Sequence, residues 1–127
     1  MSAENNNVIV KNTPAVNNEA VAEHVFALLL SFEKNIIKED KFVQNQNWTR
    51  LIGHEIFNKS IGIIGLGNVG KEVAKRAFAF GLSIHAFDKF KDVDFCKKYN
   101  INFYSDINNL CSNVDYLSLN LSLNKST

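Results

Sequence analysis

Gly65, Gly67, Gly70 and, further on, Asp88 are the residues of this chain whose types and spacing could do chemistry, and that chemistry is the recognition of a diphosphate and a ribose. They lie in the run from Ile61 to Asp88, IGIIGLGNVGKEVAKRAFAFGLSIHAFD. Gly65 permits a sharp turn after an apolar strand. Gly67 removes the Cβ that would keep the backbone away from a pyrophosphate, and the amides of Asn68 and Val69, at the start of the next helix, bring unsatisfied N–H groups and the positive end of a dipole to the anion. Gly70 lets that helix pack close to the strand. Asp88 ends the following strand, where a carboxylate accepts hydrogen bonds from both hydroxyls of an adenosine ribose and repels a 2′-phosphate, so the pattern favours NAD over NADP.

Such glycines also occur in ordinary turns, so the elements around them decide the matter. Ile61, Ile63 and Ile64 spell a short strand of the kind buried on both faces of a parallel sheet. The helix that follows places Val69, Val73, Ala74, Ala77 and Phe80 on its inner side and lets Lys71, Lys75 and Arg76 point to water, with Gly81 as its C′ residue. Leu82 to Phe87 is the second strand. Upstream, the residues predict a strand from Val8 to Lys11. A long helix capped by Asn17 or Asn18 follows, with Val21, Ala22, Val25, Leu28, Leu29 and Phe32 at helical spacing, then a short helix from Ile37 to Val43. Downstream come a helix over Val93 to Tyr99, a strand at Ile101 to Phe103, a helix from Asp106 to Cys111 and a strand from Asp115 to Leu121. Right-handed crossovers lay the four strands in the order 3-2-1-4: an α/β, doubly wound parallel sheet, partial on one side and preceded by a long N-terminal helical segment.

Other residues make the pattern more specific. Asn12-Thr13-Pro14-Ala15, Asn17, Glu19-Ala20-Val21-Ala22-Glu23-His24 and Ala27-Leu28-Leu29-Leu30, followed by Trp48, Gly53 and Glu55, resemble the start of the cofactor domain of D-2-hydroxyacid dehydrogenases. The flavour is closest to the D-3-phosphoglycerate dehydrogenase branch, and the resemblance runs from about Val8 to Thr127. It implies that residues 1–15 are the tail of a substrate domain and hinge, and that 16–127 are an NAD-binding Rossmann domain cut short on its C-terminal side. It also implies cofactor contacts at the end of the fourth strand, where the family has His-x-Pro-Leu and a later Thr. This chain has Asn120-Leu121-Ser122-Leu123 and Thr127 there, and Ser122 lacks the fixed backbone angle of proline. Two smaller departures are Ala15 for a family Gly and Asn58-Lys59-Ser60 for Gly-Lys-Thr.

The same resemblance puts the substrate-orienting arginine and the proton-moving glutamate and histidine beyond the position of Thr127, so no catalytic residue is assigned and the piece alone is expected to be inert. Glu23 and His24 are no substitute, because adjacent helical residues point about 100° apart. The substrate, a small 2-hydroxy or 2-oxo acid, is expected to meet regions outside this sequence. The long helix, apolar over more than one stripe, is expected either to pair two subunits or to pack on its own domain. The alternative functional reading is a non-catalytic NAD- or adenine-nucleotide-binding module, or a decayed remnant of an enzyme.

Composition bounds these readings. A chain of 127 residues, 46% hydrophobic and 21% charged, has the make-up of one globular domain. A net charge of +1 gives no electrostatic footprint for nucleic acid or membrane. The longest apolar run, Val25 to Leu30, is too short to span a bilayer, and a cytoplasmic location is expected. Cys96 and Cys111 form no C-x-x-C pair and read as buried thiols. His54-Glu55 opens like a zinc helix, but Asn58 stands where the second ligand would be, so no metal is expected.

Overall fold

The computed structural model describes Asn6 and residues 8–122. Two helices lead the chain, α1 (Asn18–Glu33) and α2 (Ile36–Gln44). There follow β1 (Ser60–Ile64), α3 (Asn68–Ala79), β2 (Ser83–Phe87), α4 (Val93–Lys98), β3 (Asn102–Phe103), α5 (Ile107–Cys111) and β4 (Tyr116–Leu119). The four strands are parallel and ordered β3-β2-β1-β4, the predicted doubly wound arrangement. Its register positions the site. Ile64 of β1 pairs with Phe87 of β2 on one side and Leu119 of β4 on the other, so the carboxyl ends of three strands reach one rim together.

The core lies chiefly on one face of the sheet. Ile61, Ile63, Ile84 and Ala86 are buried beneath Val73, Ala74 and Ala77 of α3 and Ala22 and Phe26 of α1. Burying each isoleucine stabilises the fold by about 1.5–3 kcal/mol. On the other face Gly62 leaves room for α5: a Cβ there would stand 2.6 Å from Leu110 Cδ2. β1 is therefore covered on both sides, which is why its sequence is a continuous apolar run. Gly81, at φ +72°, ends α3 as anticipated.

Five expectations need correction. Residues 8–13 form no strand; Val8, Ile9 and Val10 are exposed, with no neighbouring strand among the described residues to complete a ladder. Asn17 precedes α1 but makes no side-chain cap bond, nor does Asn18, the first helical residue. Phe80 is not buried under α3 but lies at its end, its ring stacked on Phe26 at 5.1 Å between centroids. Of the two thiols only Cys96 is buried, and burial pushes its pKa up; Cys111, one residue past the buried Leu110, is exposed on the outer side of α5. Lys71 and Arg76 do more than meet water, since Lys71 pairs with Asp92 and Arg76 joins Glu72 to Glu23 of α1.

The buried carboxyl of Glu33, at the end of α1, accepts a hydrogen bond from the Tyr116 hydroxyl at 3.0 Å and lies 3.4 Å from His54 Nδ1. Burial, and then that hydrogen bond, push the Tyr116 pKa up to about 12. Asp115 ties the starts of β1 and β4, accepting from the Ser60 hydroxyl and backbone N–H, which hold its carboxyl below the usual carboxylate range. Hydrogen bonding by Lys75 does the same for Glu72, and by Lys71 for Asp92.

His85 sits between Ser83 Oγ (3.2 Å) and the Tyr104 hydroxyl (3.1 Å), and burial lowers its pKa below the ordinary 6.5. As pH falls through that value the unfolded histidine takes up a proton that the folded one accepts only at lower pH, so stability is withdrawn. The depressed carboxylates withdraw theirs only in the more acid range, below the usual carboxylate values. Urea unfolding should therefore show stability declining from about pH 7 toward about pH 5, and His85→Gln should flatten that decline. An unchanged slope in the variant would assign the loss to another group.

Candidate functional site

The rim formed by β1, β2 and β4 gathers the residues singled out from the sequence. β1 ends at Ile64, and Gly65, at φ +92°, reverses the chain in a conformation that L side chains rarely adopt. The turn is held from two sides. Gly65 N–H donates to the Phe87 carbonyl at 2.8 Å, and Asn120 N–H donates to the Ile64 carbonyl at 2.8 Å. A Cβ on Gly65 would stand 2.5 Å from the Asn120 carbonyl oxygen, so the end of β4 lies directly against the turn.

Helix α3 then starts at Asn68 with Gly67 as its N-cap. Glycine has no side chain to satisfy the first-turn N–H groups of Asn68, Val69 and Gly70, which are left for an acceptor outside the chain. Twelve residues of helix put the positive end of their dipole at the same place. The two flanking glycines are glycine for different reasons. At Gly70 a Cβ would fall 2.0 Å from the Gly65 carbonyl oxygen, so packing of α3 against the β1 turn forbids a side chain. At Gly67 a Cβ would meet nothing within 4 Å, and φ is an ordinary −75°. The fold makes no demand for glycine at 67, whereas a diphosphate drawn up to the backbone does, and the site fits that group.

Asp88 follows β2 and is half-buried beside the turn. Its Oδ2 accepts from Leu66 N–H at 2.6 Å and its Oδ1 from Phe90 N–H at 3.1 Å. A carboxylate has about four lone-pair positions, so it can still accept from ribose hydroxyls. The loop behind it is braced by Lys71, which pairs with Asp92 and lies 5.2 Å from the centre of the Phe95 ring, while Asp92 Oδ1 caps α4 at Phe95 N–H, 3.0 Å away. Asn120 is held by its backbone at the turn, and its side-chain amide donates to Ser118 Oγ at 3.1 Å. Leu121 lies beside Gly65 and is exposed, as is Ser122; Thr127 and Leu123 lie outside the described residues.

Sequence reasoning missed the contacts of Leu66, Phe87 and Asp92. Only Asp92 carried a local signal, an acidic residue just before a helix start. Glu23 and His24 are not drawn into the rim: Glu23 pairs with Arg76 and His24 is exposed on α1. Among the described residues no three His, Cys, Asp or Glu side chains gather into a group that could hold a metal ion.

Residues 26–127 match the family described as D-isomer specific 2-hydroxyacid dehydrogenase, NAD binding domain. The chain belongs to that family. A D-3-phosphoglycerate dehydrogenase of Bacillus subtilis is 35% identical over 127 residues, covering 98% of this chain and 24% of the relative. The chain thus spans about a quarter of that relative's length. Among solved structures, apo D-lactate dehydrogenase from Escherichia coli superposes with a TM-score of 0.88 at 25% identity, over 98% of this chain and 39% of that one. D-lactate dehydrogenase from Aquifex aeolicus, solved with NAD and lactic acid, gives 0.85 at 28% identity, over 98% and 38%. The chain is therefore an NAD binding domain, the cofactor predicted from the glycines and Asp88.

The contrast between the glycines yields a paired test. Gly67→Ala should unfold within about 1 kcal/mol of the parent, the scale of an N-cap change, yet bind NADH at least about tenfold more weakly. Gly70→Ala should cost about 3 kcal/mol or more through overpacking. Thermal melts and fluorescence titration measure both, and NADH affinity undiminished in Gly67→Ala would remove the diphosphate from this turn.

Proposed function

We propose that this chain is the cofactor-holding part of an NAD-dependent oxidoreductase that acts on the CH–OH group of a D-2-hydroxy acid, most nearly a 3-phosphoglycerate dehydrogenase. In this reading the pyrophosphate lies on Gly65, Gly67, Asn68, Val69 and Gly70, and Asp88 takes the adenosine ribose. Asn120, Leu121 and Ser122 border the nicotinamide side, to which the family pattern also assigns Thr127, outside the described residues. NAD supplies the hydride chemistry, and the chain's residues bind and orient it. The observation that carries the proposal is the convergence on one rim of a glycine the fold does not require, an uncapped helix start and a carboxylate.

In the same reading residues 1–15 are the tail of a substrate domain and hinge, and 16–127 the NAD-binding unit. The substrate and its proton-transfer groups belong to regions outside this sequence, so the 127-residue chain alone is expected to bind cofactor without turnover. The reading extends to a cytoplasmic, homodimeric enzyme; among the described residues no helix is long and apolar enough to cross a membrane. Leu28, Phe32, Ile36 and Ile37, exposed on α1 and α2, support pairing through the N-terminal helices. The departures at Asn120 and Ser122 favour a second reading, a module that grips NAD or another adenine nucleotide and catalyses nothing.

Titration of the chain with NADH and NADPH, following nicotinamide fluorescence, tests the ribose assignment. The parent should prefer NADH, and Asp88→Ala should weaken NADH by about tenfold, the scale of a lost hydrogen bond to a charged group, while narrowing its lead over NADPH. A preference left untouched by the substitution would contradict the role given to Asp88.

A further inference from the structure

Asp88 is bound to the phosphate turn before any ribose arrives. Its Oδ2 takes the N–H of Leu66, the residue between Gly65 and Gly67, at 2.6 Å across 22 residues of sequence. The preceding residue of β2 acts in the same direction, with the Phe87 carbonyl taking Gly65 N–H at 2.8 Å. Two successive acceptors at the end of β2 thus hold two successive amides of the turn. Gly65 has no side chain to limit its rotation, and its φ of +92° is one that glycine can leave freely. The orientation of the 65–66 peptide, and with it the direction in which Gly67 and the start of α3 face the diphosphate, is held by these two bonds together with the packing of the Gly65 carbonyl against Gly70 and of the buried Leu66 side chain. The bond to Asp88 is the stronger, because its acceptor is charged.

We propose that Asp88 is a positioning residue for the diphosphate as well as a partner of the ribose: through Leu66 N–H it holds the glycine turn in the shape that receives the phosphates. The inference rests on reading the rim as an NAD site. It departs from a purely ribose-binding role in its sign. If Asp88 touched only the ribose, a ligand without ribose hydroxyls would gain from its removal, since a negative charge near two phosphates would be gone. If Asp88 shapes the turn, the same ligand loses.

The probe is 2′,3′-dideoxyadenosine 5′-diphosphate, with adenosine 5′-diphosphate as reference, titrated calorimetrically into the full chain. Asp88→Ala should bind the dideoxy compound about tenfold more weakly than the parent, the effect of a lost charge-assisted hydrogen bond. Asp88→Asn, whose amide oxygen still accepts from Leu66 N–H, should bind it within about twofold of the parent while losing discrimination between the two diphosphates. Equal or tighter dideoxy binding in Asp88→Ala overturns the proposal, as does an equal loss in both variants. Should Asp88→Ala fail to fold, Asp88→Ser, whose hydroxyl is too short to reach Leu66 N–H, takes its place: about tenfold weaker dideoxy binding supports the proposal, and equal or tighter binding refutes it. A parent that binds neither diphosphate refutes the reading of the rim itself, which is a separate outcome.

Discussion

A methyl group on Gly70 would fall 2.0 Å from the carbonyl oxygen of Gly65, closer than any real Cβ approaches an oxygen. Helix α3 therefore sits against the turn that precedes it with no side chain between them, and the other features of the rim depend on that approach. It brings the uncapped start of α3 to the end of β1, aims the dipole past Gly67 and lets Val73, Ala74 and Ala77 bury over Ile61, Ile63 and Ile84. In the proposed reading, packing and ligand recognition are the same contact viewed from two sides.

The sheet register extends this constraint to the neighbouring strands. Ile64, Phe87 and Leu119 stand level, so the residues that leave β1, β2 and β4 emerge together as a turn, a carboxylate and a polar loop. Asp115 fixes the opposite ends of β1 and β4 through Ser60, which prevents the strands from sliding relative to one another. Away from the rim, Arg76, bonded to Glu72 and Glu23, and the Glu33–Tyr116 hydrogen bond join α1 to α3 and β4, so the leading helix is part of the same body.

Much of this was legible in the sequence because it is local. An apolar strand, three glycines and an amphipathic helix each carry their own period, and right-handed crossovers leave few ways to order the strands. Pairings that join distant residues were not legible. Val8 to Lys11 looks like a strand until one asks what it would pair with. Glu33, a charged residue at a helix end, is buried and accepts a hydrogen bond from Tyr116, 83 residues later, a pairing no local pattern announces. The place of Asp88 after β2 marks it out in the sequence as a candidate for the ribose, but its bond to Leu66 depends on how closely the turn folds back. Cys96 faces inward from α4 whereas Cys111, the last residue of α5, faces outward, and nothing local in the sequence marks the difference.

The central claim is that main-chain amides at the Gly65–Gly70 turn receive the diphosphate. The most direct measurement is a nitrogen-15 amide spectrum of the chain titrated with NAD. The account predicts that the largest shifts fall on Gly67, Asn68, Val69 and Gly70, with Leu66 and Asp88 following. Shifts confined to the apolar groove between α1 and α2, lined by Leu28, Phe32, Ile37 and His54, with the turn unmoved, would contradict it.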